Sequence, residues 1–185
     1  LAENNKYLTG TNPSVGCVIV KKNEILSFAT TNNGGRPHAE SIALSKNRSN
    51  KGTSLYSTLE PCSHHGVTPP CTNAIIKNKV KRVYYSIEDK DLRTFNKTKK
   101  ILKSKKIITI SGLQKRKVNN LYKEYNYIRS NKAPYVIGKI ASSSNLNILR
   151  NNSFITNEHS RRVSHILRFQ NHAILTSYKT INTDN

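Results

Sequence analysis

TSLYSTLEPCSHHGVTPPCTNAIIKNK (53–79) is the stretch whose reading decides the fold. Its opening, TSLYSTL (53–59), has the length and the Thr/Tyr content of a strand bounded by turn residues. Its close, PPCTNAIIKNK (69–79), reads as a helix with its prolines at the start, where a missing N–H costs little. A strand that feeds a helix through a loop bearing two cysteines is a unit of an α/β layer. Upstream, VGCVIV (15–20) and ILSFAT (25–30), separated by KKNE, read as a hairpin. HAESIALSKN (38–47) has helical spacing, with Ala39, Ile42 and Ala43 able to share a face. Downstream, KRVYYSI (81–87) and KKIITI (105–110) are strands with a basic helix between them, and KRKVNNLYKEYNYIRS (115–130) is a further helix. The alternation predicts a layered α/β domain over residues 1–131. NKAP (131–134) resets the pattern. YVIGKIA (135–141) reads as a strand, RRVSHILRF (161–169) as a helix and HAILTS (172–177) as a strand. Residues 132–185 are too few for an independent core of ordinary size and read as the beginning of a second domain.

Composition narrows the class. The 185 residues carry 31 Lys and Arg against 10 Asp and Glu, a net charge of +21, and 35% are apolar. That apolar share is too high for a disordered chain, and no apolar run approaches the ~18 residues of a membrane helix. LAENNKYLTG (1–10) lacks the basic start and apolar stretch of a signal peptide. A membrane or secreted protein is disfavoured and a cytoplasmic one expected. With no methionine in the chain, residue 1 is not an initiator, and the chain reads as processed or as a fragment. The positive charge invites a nucleic-acid partner, and from Lys77 to Lys123 there are 16 basic and 3 acidic residues. No RNA-binding aromatic signature or helix-turn-helix accompanies them. Compositional drift toward Lys and Asn, with a solvated helix face and Lys-blunted strand edges, accounts for the excess.

The three cysteines, Cys17, Cys62 and Cys71, make no disulfide framework. Cys17 falls in an apolar strand and reads as packing. Cys62 and Cys71 read with His38 as a zinc set, because a borderline-soft cation takes thiolate sulfur and imidazole nitrogen. Three protein ligands leave a tetrahedral zinc one open position, as in a catalytic site. His38 and Cys71 fall at predicted helix starts, where unpaired N–H groups favour thiolate over thiol. Glu40 is two residues from His38 and placed to move protons without ligating. His-x-Glu with a downstream Pro-Cys is the pattern of zinc deaminases, in which two residues usually separate the cysteines. Here eight do, SHHGVTPP (63–70). His64 or His65 could instead close the site as a fourth ligand and make it structural, or line a pocket, which is the reading that gives Glu40 a task. His159, His165 and His172 show no metal-ligand spacing.

TLEPCSHHGVTPPCTNAII (58–76), preceded by NPSVGCVIV (12–20) and GRPHAE (35–40), resembles the bifunctional deaminase–reductases of riboflavin biosynthesis, and the resemblance runs through essentially the whole chain. It implies a cytidine-deaminase-like three-layer α/β domain with a mixed sheet, followed by the truncated start of a dihydrofolate-reductase-like domain. It implies zinc held by His38, Cys62 and Cys71, with Glu40 as proton shuttle. The substrate implied is a pyrimidine ribotide, 2,5-diamino-6-ribosylamino-4(3H)-pyrimidinone 5′-phosphate, with Asn12 and His65 at positions that hold the ring. Ala141, Phe154, Thr180 and Asp184 match positions that contact NADPH, and Arg168 one that contacts substrate. The chain stops before the remaining reductase segments, so reduction of the ribosyl group is not expected of it. Val67 stands where the family has a basic residue, Asn145-Leu146 where it has Asp-Gly, Phe154 where it has Trp, and Asn152 where it has Ser. In EDKDLRTFNKTKK (88–100) only Asp89 matches clearly. Two other classes remain in view: a nucleic-acid deaminase, against which the long inter-cysteine loop argues, and a non-enzymatic zinc-stabilised module. An incomplete second domain also leaves apolar surface that a homo-oligomer could cover.

Overall fold

The computed structural model describes residues 1–147 and 155–183, and the chain divides into two compact units, Leu1–Tyr135 and Val136–Asn185. The first unit is built on a five-stranded sheet. Its strands are β1 (Gly16–Lys21), β2 (Glu24–Thr30), β3 (Ser54–Leu59), β4 (Arg82–Ile87) and β5 (Ile108–Ser111). Their spatial order is β2-β1-β3-β4-β5. β1 pairs antiparallel with both β2 and β3, whereas β3–β4 and β4–β5 are parallel. The sheet is therefore mixed, as expected. The tight KKNE connection allows only an antiparallel pair, and each parallel pair needs a crossover. α2 (Cys71–Lys77) lies between β3 and β4 and α3 (Lys97–Ser104) between β4 and β5.

Alternation sets which residues enter the core. Along β3, Leu55, Ser57 and Leu59 are buried while Ser54, Tyr56 and Thr58 are half-buried. Tyr56 pairs with Tyr84 on β4, and the two rings stack with centroids 4.6 Å apart. Ile19, Leu55, Ile75, Val83 and Leu102 are almost wholly excluded from solvent and form the centre of the core. α1 (Ala39–Ser45) contributes Ala39, Ala43 and Leu44 to it and packs on β1 and β2. Cys17, fully buried in β1, is a packing residue as read from the sequence.

The single helix expected over 115–130 is two, α4 (Lys115–Leu121) and α5 (Lys123–Asn131). The break falls at Tyr122, with φ −99° and ψ 19°. Its buried hydroxyl donates to the Ser14 carbonyl at 2.8 Å and lies 2.6 Å from the Thr58 hydroxyl. Helical periodicity carries no sign of such an anchor.

In the second unit, α6 (Glu158–Phe169) starts earlier than expected because the Asn157 side chain caps it, accepting from the Ser160 N–H at 2.9 Å. α7 (Tyr178–Thr183) follows. The strands expected at 135–141 and 172–177 are not formed: both stretches are irregular. A strand exists through its ladder, and among the described residues of this unit no other segment pairs with either. Val136, Ile140 and Leu175 are correspondingly exposed.

Candidate active site

The site gathers where β3 and β4 end and the helices begin. β3 runs directly into Glu60-Pro61-Cys62, and the Glu60 N–H donates to the Ile87 carbonyl at the end of β4, 2.9 Å. The inter-cysteine loop then leaves and returns. Its ends are clipped by the Cys71 N–H donating to the Cys62 Sγ at 3.2 Å and the Thr72 N–H donating to the Cys62 carbonyl at 3.1 Å. His38 is the residue that caps the start of α1, and Cys71 is the first residue of α2.

These placements bring His38, Cys62 and Cys71 together, with their ligand atoms all within 4.8 Å of one another. His38 Nδ1 lies 3.5 Å from Cys62 Sγ and 3.4 Å from Cys71 Sγ. A tetrahedral zinc with ordinary Zn–S and Zn–N bonds sets such N···S edges at about 3.6 Å. The donor set and its spacing fit zinc. Burial, and the charge balance of two sulfurs and one imidazole, suit a divalent ion.

Electrostatics agree. The Cys62 thiol is pushed down to about 4, chiefly by the hydrogen bond from Cys71 and then by His38 and the Cys71 N–H. The His38 imidazole is pushed up, foremost by its bond to Cys62. The Cys71 thiol is pushed well up by its bond to Cys62, by burial and by Glu40. Two sulfurs in contact that share one negative charge need a cation between them before both can ionise.

Glu40, 3% exposed, stands beside this set with its Oε2 3.5 Å from Cys71 Sγ and its Oε1 3.5 Å from the Ser57 hydroxyl. Burial, and then the negative Cys62, raise its carboxyl above the ordinary range. A carboxyl moved toward neutrality in a closed site can both take and return a proton.

The cavity over this set is lined by Asn12, Arg36, His38, Glu40, Glu60, Cys62 and His64, and on another side by Asp89, Asp91, Arg93, Tyr125 and Arg129. Asn12 donates to the Gly35 carbonyl at 3.1 Å. Gly35 has φ +84°, and a Cβ there would come within 2.5 Å of both Asn12 Nδ2 and the Thr9 carbonyl, so only glycine fits. Of the paired histidines, His64 is the one that lines the cavity, its Nδ1 2.9 Å from the Thr94 hydroxyl. His65 is exposed and outside the lining.

Asp91, Arg93, Tyr125 and Arg129 line the cavity without having been singled out in the sequence. Asp91 accepts from Arg93 through both oxygens, at 2.9 and 2.6 Å, with Arg129 at 3.8 Å. Those guanidiniums, Arg93 first, hold its carboxyl well below the usual range. Asp89 accepts from the Tyr125 hydroxyl at 2.8 Å, and its N–H donates to Glu60 Oε2 at 3.2 Å. The other Glu60 oxygen is buried without a partner. Asp89, the clear family match within 88–100, was the one cue to this wall. Ala141, Arg168 and Thr180 belong to the second unit. Ala141 is half-buried, Arg168 is exposed on α6, and the Thr180 N–H donates to the Ser177 hydroxyl at 3.2 Å. Phe154 and Asp184 lie outside the described residues, as does Asn152.

A mixed sheet that delivers His, Cys, Cys and a buried Glu to one cavity is the arrangement of a cytidine-deaminase-like domain. The family of the cytidine and deoxycytidylate deaminase zinc-binding region matches residues 1–87. Over the whole chain, the riboflavin biosynthesis protein RibD of Escherichia coli (strain K12) is 37% identical, and that of Aquifex aeolicus (strain VF5) 34%; the chain covers 51% and 53% of them. Acinetobacter baumannii RibD, form 2, superposes with a TM-score of 0.92 at 33% identity, over 100% of this chain and 52% of that one. A Thermotoga maritima protein described as a diaminohydroxyphosphoribosylaminopyrimidine deaminase/5-amino-6-(5-phosphoribosylamino)uracil reductase gives 0.77 at 30% identity, over 90% of this chain and 49% of that one. The chain is similar to RibD proteins along its whole length and spans about half the length of the curated relatives it matches. Among the described residues no helix is long and apolar enough to cross a membrane.

Proposed function

We propose that this chain hydrolytically removes the ring amine of 2,5-diamino-6-ribosylamino-4(3H)-pyrimidinone 5′-phosphate, a step of riboflavin synthesis. The observation that carries the proposal is the buried Glu40 carboxyl set against the His38–Cys62–Cys71 cluster in one cavity. His38, Cys62 and Cys71 would hold zinc, which when bound supplies the Lewis acidity that makes water a usable nucleophile near neutral pH. Glu40 takes one proton of the attacking water and gives it to the ring nitrogen, then takes the remaining hydroxyl proton as the carbonyl forms and gives it to the amine, which leaves as ammonia when the C–N bond breaks. Its burial keeps bulk water from competing for those protons. Asn12, held by the Gly35 carbonyl, and the free oxygen of Glu60 present polar groups to a planar ring, while Leu59 and Val15 supply apolar wall. His64, which lines the cavity where His65 does not, would face the ring.

The same reading assigns residues 1–131 to the deaminase domain and 132–185 to the opening of a reductase domain. In that second domain Ala141, Phe154, Thr180 and Asp184 would serve NADPH and Arg168 the substrate.

Zinc-loaded chain incubated with the diaminopyrimidinone phosphate is expected to release ammonia. Glu40→Gln should slow release by about 10²–10⁴-fold, the usual contribution of a placed acid–base group, with zinc content unchanged. Folded, zinc-loaded protein that releases none would overturn the proposal.

A further inference from the structure

We propose that Arg36 grips the phosphate of the substrate in the deaminase cavity. This rests on the function proposed above and adds to it the residue that selects a phosphorylated substrate over its free riboside.

The backbone of Arg36 is pinned on one side by Gly35, which packs on Asn12 and Thr9, and lies two residues from His38. The side chain lines the cavity and reaches the inter-cysteine loop, where its Nη2 is 4.0 Å from the point a Cβ on Gly66 would occupy. Three arginines line this cavity, and they are not alike. Arg93 and Arg129 both face Asp91, at 2.6 and 3.8 Å. Among the described residues no carboxylate forms an ion pair with Arg36. Its Nε is buried and has no hydrogen-bond partner. A buried donor without an acceptor, at the wall of a site for an anionic molecule, marks where the anion belongs.

The loop opposite supplies no competing Lys or Arg. SHHGVTPP (63–70) contains no Lys or Arg, and Val67 next to Gly66 is 83% exposed. Arg36 is therefore the guanidinium at this end of the cavity. A guanidinium suits the task, since its planar fork donates to two phosphate oxygens together and stays charged at every working pH.

The experiment compares ammonia release from the phosphorylated ribotide and from the dephosphorylated riboside, with the full chain loaded with zinc. Arg36→Ala should lower the ratio of kcat/KM for phosphorylated over dephosphorylated substrate by about 10–100-fold, the range of a charge-assisted hydrogen bond. The loss should lie in KM. Arg36→Lys, which keeps the charge but not the fork, should recover part of the ratio. If the alanine variant does not fold, Arg36→Gln removes the charge at nearly constant length and decides the question. Active wild type whose ratio is untouched by these variants, or which loses both substrates equally, overturns the role of Arg36 alone. Wild type inactive on both substrates overturns the function on which it rests.

Discussion

Replacing Gly35 by alanine separates two costs that usually arrive together. Gly34 and Gly35 are neighbours, with φ of +74° and +84°, and both sit in a region that side chains rarely adopt. A Cβ on Gly34 meets nothing within 4 Å, whereas one on Gly35 meets the Thr9 carbonyl and Asn12 Nδ2 at 2.5 Å and Asn12 Cβ at 2.8 Å. Gly34→Ala should therefore cost only the backbone term, about 1–2 kcal/mol. Gly35→Ala adds an overpacking term of about 1–3 kcal/mol, for a total of roughly 2–5 kcal/mol. The atoms that must give way are the Thr9 carbonyl, which accepts the Asn12 N–H at 3.3 Å, and the Asn12 side chain on the cavity wall. Urea unfolding of both variants gives the two values on one scale, and KM for the pyrimidine should rise in Gly35→Ala but not in Gly34→Ala. Equal losses of stability in the two variants would refute the close approach of Gly35 to Asn12.

Two further outcomes are expected. Asp91 has a carboxyl depressed by Arg93 and Arg129, so its contribution to stability is present above the unfolded pKa of about 4 and is lost as pH falls through the lower folded value. The gap in melting temperature between wild type and Asp91→Asn should thus shrink as pH falls from 5 toward 2, and a gap that stays constant would count against the ion pair. Tyr122→Phe deletes a buried hydroxyl that bridges Thr58 and Ser14, and should cost about 1–3 kcal/mol in the same urea assay. A change near zero would mean that the bridge contributes nothing net.

How much was legible in the sequence follows from where each signal is written. The candidate metal-holding set was legible because metal chemistry tolerates few residue types, and His38, Cys62 and Cys71 fall at the ends of strands and helices that hydrophobic patterning also marks. The five strands of the sheet were legible for a related reason: each has a neighbour on the sheet, and along β3 burial enforces alternation. The strands expected at 135–141 and 172–177 show the limit. Their β-branched residues favour extended backbone, but pairing is a property of two segments, and one segment's composition does not report whether its partner is present. The split at Tyr122 and the choice of His64 over His65 depend on single tertiary contacts, with Ser14, Thr58 and Thr94. Arg36 was passed over for the same reason. In a chain with 31 Lys and Arg, only its position beside Gly66 and its unpartnered nitrogen set it apart.

The clipping of Cys71 and Thr72 back onto Cys62 has one more consequence. Because the two ends of SHHGVTPP are tied to each other by backbone N–H groups, the two cysteines are held together at the base of the excursion and not only by the residues that make it. The entropy of closing such an excursion grows only slowly with its length. On the proposed function, the middle of this loop is where a change of length or sequence would alter the cavity wall with the least effect on the clip beneath it. A chain could change which pyrimidine it accepts while its ligand geometry stays still.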